Sequence, residues 1–187
     1  MLEREVKIRF ADPDLARAAL SKIGAAPLRP RRLQDDTLFD TPDGVLRAKR
    51  GVVRLRCEPD RAFLTYKGPV QPGPMKIREE QETEVADAEV LRRVLHELGL
   101  VAWFRYQKFR EEYEAPGVVI ALDETPVGTY LEIEGSEEGI LTATDALGCS
   151  SADFILNSYR GLFAAFAQAH KLSARDMLFD AGDPTRA

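Results

Sequence analysis

Charged and apolar residues alternate at the very start of the sequence. In the stretch "EREVKIRF", which begins at Glu3, side chains two positions apart share one face of a β-strand. Glu3, Glu5 and Lys7 would therefore project to one side, and Val6 and Ile8 to the other. Carboxylates of this kind can hold a divalent metal, and an ammonium can bind phosphate oxygens. The simpler alternative is the solvated face of an ordinary two-layer sheet.

The same alternation recurs in later strand-like segments, such as "VVRLRCE", "KIREEQETEV" and "YLEIEG". Strong acids and bases occupy one phase of these segments, and apolar residues occupy the other. The bases in the charged phase are Lys7, Arg54, Arg56, Lys67, Arg78, Lys108 and Arg110. The acids in that phase are Glu3, Glu5, Glu80, Glu82, Asp123, Glu132 and Glu134.

A closed sheet covered by helices would account for both phases. Its apolar phase would face outward under the helices, and its charged phase would face a central lumen. Ions without partners are costly in a low-dielectric interior, so such a lumen must hold water, metal and a highly charged ligand. The seven bases and seven acids are nominally neutral together. A triphosphate of about −4 to −5 with roughly two divalent cations keeps the sum near zero.

The elements that would position these residues can be predicted from pattern and capping signals. Helices are expected to begin at Asp12, Asp87, Ser136 and near Ser151. Strands separated by helices and short connections favour an antiparallel α+β domain. The strands are predicted near residues 2–10, 33–40, 51–58, 61–67, 75–85, 103–113, 117–123 and 129–135. The chain is interpreted as a single domain, 1–187, with its core at about 2–170 and a C-terminal tail at 171–187.

Composition narrows the classes of partner. The 187 residues carry a formal net charge of −5, which argues against binding to nucleic acid or to a membrane surface. Cys57 and Cys149 form no metal-type pair, and no stretch is long and apolar enough to span a bilayer. A reduced, cytoplasmic setting is expected, and a homodimer is compatible with the sequence.

Several polar features are given structural interpretations. Asp35, Asp36 and Asp40 are expected in turns or at a rim, and "RPRR" at 29–32 is expected to form an exposed basic loop. Tyr159 is expected to pack the last helix against the sheet, with a hydroxyl that can reach the charged face.

The ordered motifs resemble the CYTH, or triphosphate tunnel metalloenzyme, superfamily. "EREVK" is similar to its ExExK signature and covers the first strand. The segments that follow in the family's order are "QDDTLFDT", "RLR", "LTYKGP", "KIREEQE", "KFR", "ALDE", "YLEIEG" and "NSYRGLF". The resemblance extends from residue 2 to about residue 163.

The resemblance implies an eight-stranded antiparallel tunnel that binds a triphosphate-containing small molecule with Mg²⁺ or Mn²⁺. The implied catalytic residues are Glu3, Glu5, Lys7, Arg54, Arg56 and Lys67. The phosphate-binding residues would be Lys7, Arg54, Arg56, Lys67, Arg78, Lys108 and Arg110. The metal-binding acids would be Glu3, Glu5, Glu80, Glu82, Asp123, Glu132 and Glu134.

The motifs leave several functions open. The first is hydrolysis of inorganic triphosphate, thiamine triphosphate or a nucleoside triphosphate. The second is a class IV adenylyl cyclase reaction, in which ATP gives cyclic AMP and pyrophosphate. A non-catalytic polyphosphate-binding module ranks third because all the metal-type acids are present. The sequence does not identify the general base.

Overall fold

Eight strands form one closed antiparallel sheet. The computed structural model describes residues 2–180. Around the closed sheet the strands follow the order β1-β5-β4-β3-β2-β6-β7-β8, and β8 pairs again with β1. The strands are β1 (Leu2–Phe10), β2 (Ala26–Asp40), β3 (Val52–Cys57), β4 (Ala62–Lys67), β5 (Lys76–Val85), β6 (Val101–Ala115), β7 (Val118–Thr125) and β8 (Gly128–Gly135). The predicted α+β class and closed eight-stranded sheet are confirmed.

The pairing register brings charged residues of neighbouring strands together. Lys7 of β1 lies opposite Glu132 of β8. Arg56 of β3 lies opposite Asp36 of β2. Directly opposed residues in an antiparallel pair share a face of the sheet. The register therefore collects acids and bases on the inner face of the closed sheet.

Helices cover the outer face. They are α1 (Pro13–Lys22), α2 (Val45–Ala48), α3 (Ala88–Glu97), α4 (Glu137–Ala146) and α5 (Tyr159–His170), with a 3₁₀ turn at Ser151–Asp153. Leu20 of α1 and Ile140 of α4 are buried in one cluster with Val6, Ile8 and Ile133 of the strands. The apolar phase of the strands thus forms the core between sheet and helices, as the alternation predicts.

Two further clusters pack helices against the strands. Leu95 of α3 packs with Phe39 and Leu55. Phe163 of α5 packs with Phe104, at a ring-centroid distance of 5.9 Å. The first of these clusters extends the outer core, whereas Phe104 has the inward phase of Lys108, so α5 packs at one end of the closed sheet.

The prediction of a helix starting near Ser151 is wrong. The helix begins at Tyr159, and the Ser158 side chain caps it by accepting the N–H of Gly161 at 3.2 Å. The preceding chain is extended, and Ile155 exchanges two backbone hydrogen bonds with Lys7, at 2.8 and 3.2 Å. Strand β5 pairs with β1 from Leu2 to Glu5 and no further. Ile155 therefore satisfies backbone groups of β1 that β5 leaves free.

The chain after α5 also contacts the sheet. The Met177 N–H donates to the Arg105 carbonyl at 3.0 Å, and its carbonyl accepts the N–H of Gln107 at 2.9 Å. Met177 is buried, and the ring of Phe179 packs on that of Phe109 at a centroid distance of 5.2 Å. The tail predicted at 171–187 is thus described as far as residue 180, and its remainder lies outside the described residues.

The basic segment at 29–32 is not the exposed loop that was predicted. It belongs to β2, which starts at Ala26 instead of near residue 33. Arg31 lies 3.1 Å from Glu124, and Arg32 lies 2.9 Å from Glu112. These carboxylates come from distant parts of the chain, so the local sequence gives no sign of them.

Asp40 organises the turn between β2 and α2. Its buried carboxylate accepts the N–H groups of Thr41 and Leu46 at 2.8 Å and that of Arg47 at 3.1 Å. We expect Asp40→Ala to lower the free energy of unfolding by about 2 kcal/mol, because these donors lose their acceptor. Urea unfolding measures the change. Asp43→Ala, an exposed change in the same turn, is the control, and equal losses in the two variants would contradict this role.

No helix within residues 2–180 has the length and apolar character needed to cross a membrane.

Candidate functional site: a charged tunnel

Three adjoining cavities follow the axis of the closed sheet. Arg54 and Lys67 line all three, which makes them parts of one tunnel. Along β3, Val52 lines the first cavity and Arg56 the last, with Arg54 between them. Along β5, Arg78 lines the first cavity, and Glu80 and Glu82, which follow it, line the last. The first and last cavities are therefore opposite ends of the tunnel.

One end is rich in acids, and we call it the acidic mouth. This cavity of about 510 Å³ is lined by four bases, namely Arg54, Arg56, Lys67 and Arg110. Six carboxylates among the described residues line the same cavity: Glu3, Glu80, Glu82, Glu112, Glu132 and Glu134. Acids in excess over bases make this end the natural place for a cation.

The middle of the tunnel is a narrow neck of about 60 Å³, filled by ion pairs. The Lys7 ammonium lies 2.9 Å from Glu132 and 3.1 Å from Glu5. Arg110 binds Asp123 through two contacts of 2.6 Å and Glu132 through one of 3.0 Å. All five side chains are at least largely buried, so each charge depends on its partners.

A second set of ion pairs joins β1, β4 and β5. Lys67 lies 2.8 Å from Glu3 and 2.5 Å from Glu80, and Arg78 lies 3.4 Å from Glu3. Glu82 lies at the rim, where its side chain is 40% exposed and accepts the Thr65 hydroxyl at 2.7 Å. Every site residue predicted from the sequence thus lies in the tunnel or at its rim.

Asp36 is a tunnel residue that the sequence interpretation missed. It was expected in a turn or at a rim, and that prediction is wrong because the side chain is fully buried. Its carboxylate accepts two hydrogen bonds from Arg56, at 2.9 and 3.3 Å, and lies 3.5 Å from Arg54. Extending the alternation through Gln34 and Leu38 would have placed Asp36 in the inward phase.

Lys76 and Tyr159 also belong to the site. The Lys76 ammonium contacts the Glu5 carboxylate. The Tyr159 hydroxyl donates to Asp123, and its ring lies under the ammonium groups of Lys7 and Lys108, at 5.2 and 4.8 Å from the centroid. Lys76 shares the phase of Arg78, so the alternation contains that signal. Tyr159 reaches the tunnel from a helix, which no strand pattern could reveal.

Burial and neighbouring charges separate the pKa values of the tunnel groups. Burial and then the nearby Arg110 lower the pKa of Lys108 to about 7, although Asp123 opposes this. For Glu132, burial acts to raise the pKa, but Lys7 and Arg110 outweigh it and hold the pKa well below its usual value. Glu132 is therefore ionised at neutral pH.

Glu134 behaves in the opposite way. Burial, followed by the negative charges of Glu3 and Glu132, raises the pKa of Glu134 to about 7. Among residues 2–180, Glu134 is paired with no base in a salt bridge, since the bases nearby are bound to other acids. An acid cluster with this surplus charge would be stabilised by a divalent cation.

The described residues contain no preassembled group of three metal ligands. Glu3, Glu132 and Glu134, which line the acidic mouth, could supply carboxylates to Mg²⁺ or Mn²⁺, which commonly take one or two carboxylates together with substrate phosphate oxygens and water. Surplus acid at one mouth and hard oxygen donors therefore fit a metal that binds with its substrate.

An antiparallel tunnel lined by acids and bases, with helices outside, defines the class of this protein as the tunnel-like CYTH fold. A family model described as the CYTH domain matches residues 1–158, and the chain belongs to that family. The family resemblance predicted from the sequence is confirmed.

Proteins from several organisms are similar to this chain in sequence or in fold. A Methanocaldococcus jannaschii protein named "Putative adenylate cyclase MJ0240" is 30% identical over 176 residues, which cover 87% of this chain and all of that protein. The PH1819 protein of Pyrococcus horikoshii is 26% identical, with a TM-score of 0.72 over 88% of this chain and 99% of that one. A Hippeastrum protein, 20% identical with a TM-score of 0.66, covers 88% of this chain and 96% of its own. It is described as a "Putative adenylyl cyclase" that "reveals a dominant triphophatase activity".

Proposed function

We propose that this protein catalyses metal-dependent hydrolysis of a triphosphate inside the tunnel. The observation that carries the proposal is the combination of buried bases and surplus acid in one lumen. Phosphoryl transfer needs cations for the phosphate oxygens and carboxylates for the metal. A site for a simple anion would need only the bases, and a site for a metal alone would need only the acids.

The bases of the tunnel would hold the phosphate oxygens. They are Lys7, Arg54, Arg56, Lys67, Arg78, Lys108 and Arg110. In the structure these bases form ion pairs with tunnel carboxylates, as Lys67 does with Glu3. A bound triphosphate would replace these carboxylates with phosphate oxygens and free the acids for a cation. The exchange keeps every buried charge compensated.

The metal would be Mg²⁺ or Mn²⁺, held chiefly by Glu3, Glu132 and Glu134 at the acidic mouth. Glu5 and Asp123 do not line the acidic mouth and contact Lys7 and Arg110, so we assign them the role of orienting these bases. Glu80 and Glu82 complete the acidic wall. A bound divalent cation would offset charge that develops on phosphate oxygens and lower the pKa of a coordinated water.

In the reaction, the oxygen of a water molecule bonds to a terminal phosphorus atom while the bridging P–O bond breaks. Inorganic triphosphate and water then give pyrophosphate, orthophosphate and one proton. The pyrophosphate leaving oxygen stays beside the bases, which stabilise its charge. No histidine or cysteine lines the acidic mouth or the neck among the described residues, so the tunnel offers no such nucleophile.

A class IV adenylyl cyclase is the second candidate, favoured by the name of the 30%-identical relative. The ribose 3′-hydroxyl of ATP would then attack the α-phosphorus and release pyrophosphate. The same tunnel charges would serve both reactions.

One assay series separates these candidates. Inorganic triphosphate, thiamine triphosphate and ATP would each be supplied with Mg²⁺ or Mn²⁺, and orthophosphate and cyclic AMP would be measured. We expect orthophosphate release that a chelator abolishes and that added metal restores. Cyclic AMP as the main product from ATP would establish the cyclase instead. Binding without either product would make the tunnel a receptor and overturn the enzymatic proposal.

A further inference from the structure

The end of the tunnel opposite the acidic mouth is a cavity of about 450 Å³, which we call the vestibule. Among the described residues no carboxylate lines it, and six cationic side chains do: Arg47, Arg50, Arg54, Lys67, Arg78 and Arg160. Arg54, Lys67 and Arg78 already belong to the tunnel site. Arg47, Arg50 and Arg160 do not line the neck.

Two of these outer arginines are held in place by an aromatic ring. The guanidinium carbons of Arg47 and Arg160 lie 4.3 and 4.9 Å from the centroid of the Trp103 ring. Arg47 is also fixed by Asp40, 2.9 Å from its Nε atom. Stacked guanidinium groups keep their planar donors ordered, which reduces the entropy lost when they bind an anion.

Arg50 occupies a backbone position that normally favours glycine. Its φ is +58°, in the left-handed region, directly after α2. The Gly51 N–H bonds the Leu46 carbonyl at 2.8 Å and closes this turn. An arginine in this conformation costs free energy relative to glycine, and its side chain lines the vestibule. This cost adds weight to a role for the side chain.

The start of α5 adds a further positive contribution. Ser158, which caps the helix, lines the vestibule together with the first two helical residues, Tyr159 and Arg160. The N-terminal end of a helix carries partial positive charge. The vestibule therefore combines three sources of positive potential, namely outer arginines, tunnel bases and a helix terminus.

We propose that the vestibule binds phosphate groups beyond the third, so that the protein prefers linear polyphosphate chains longer than triphosphate. This inference rests on the proposed function, since it extends the same substrate along the same tunnel. Three phosphates would lie among the tunnel bases, with the metal at the acidic mouth. A fourth phosphate would emerge between Arg50 and Arg160. An uncharged nucleoside would leave these arginines without an anion, so ATP fits the vestibule less well.

Steady-state kinetics with inorganic tetraphosphate, inorganic triphosphate and ATP test the preference. We expect kcat/KM to be highest for tetraphosphate. The ratio of kcat/KM for tetraphosphate to that for triphosphate should fall by about tenfold in Arg50→Gln and in Arg160→Gln, since each loses a charge-assisted hydrogen bond. Lys49→Gln is the matched control, because it removes one positive charge from the same segment at an exposed position outside the vestibule lining. Its ratio should stay at the wild-type value.

Calorimetric titration with a chelator present separates this inference from the proposed function. Tetraphosphate should bind more tightly than triphosphate, and the arginine variants should reduce that difference. Tighter binding of tetraphosphate without turnover would support phosphate binding in the vestibule and would overturn the proposed hydrolysis. Turnover of triphosphate without preference for tetraphosphate would overturn the vestibule alone. A preference for ATP that the arginine variants leave intact would assign the vestibule to a nucleoside and also overturn the inference.

Discussion

Glu132→Gln is expected to lower kcat/KM for a triphosphate substrate by about 100-fold or more. Glu132 lies 2.9 Å from Lys7 and 3.0 Å from Arg110, and it also lines the acidic mouth. It therefore connects the proposed metal site with the phosphate-binding bases. The amide keeps the size of the side chain but removes its negative charge. Metal binding should therefore weaken, and the positive charges of Lys7 and Arg110 are less well compensated.

The measurement is phosphate release over a range of Mg²⁺ concentrations. Loss of a metal ligand should raise the Mg²⁺ concentration needed for half-maximal activity as well as lower the rate. Glu79→Gln is the control, because this exposed glutamate lies on β5 with the opposite phase to Glu80. Circular dichroism of both variants verifies that the closed sheet is intact. A folded Glu132→Gln variant with the activity and Mg²⁺ dependence of the control would remove Glu132 from the proposed mechanism.

Glu134→Gln is expected to stabilise the folded protein at alkaline pH. The folded-state pKa of Glu134 is about 7, above its ordinary value of 4.5. Folding therefore favours the protonated form, and ionisation of this carboxyl destabilises the native state. The penalty is absent below pH 4.5, grows as the pH rises towards 7 and is complete above 7. A difference of about 2.5 pKa units corresponds to a gain on the order of 3 kcal/mol for the neutral amide at pH 8.

Urea unfolding of the wild type and the variant at pH 4 and pH 8, without divalent metal, measures this gain. The two proteins should have similar free energies of unfolding at pH 4 and should differ at pH 8. Under the proposed function, added Mg²⁺ should stabilise the wild type at pH 8 more than the variant, because the metal compensates Glu134. Glu79→Gln, an exposed change on β5, is the control. A gain that is the same at both pH values would mean that ionisation of Glu134 is not its cause.

The strand patterns predicted most of the charged residues on the inner face of the tunnel. Alternation assigns Glu3, Glu5 and Lys7 to one face of β1 whatever the strand later pairs with, because side chains alternate along any extended chain. Local signals also located helix starts, since Asp12 caps α1 through the N–H of Leu15 at 2.8 Å. Such features depend only on neighbouring residues.

Non-local contacts decided the elements that were predicted wrongly. The extended segment around Ile155 replaces a helical turn because its backbone completes the edge of β1. The arginines at 31 and 32 belong to β2, where carboxylates of β7 and β6 form ion pairs with them. In both cases a tertiary hydrogen bond or ion pair outweighed the local preference.

Alternation within each strand predicted most of the charged residues that face the lumen, though not Asp36, and a near balance of acids and bases among them. The position of each charge along the tunnel axis depends instead on how the strands pair. Pairing of β1 with β8 placed Glu3 near Glu134, where its charge helps to raise the pKa of Glu134, and pairing of β2 with β3 buried Asp36 under Arg56. The tertiary structure also left one mouth acidic and brought Arg47, Arg50 and Arg160 together at the other. The physical reason is that register and closure arise from pairing between strands, whereas alternation arises within a single strand.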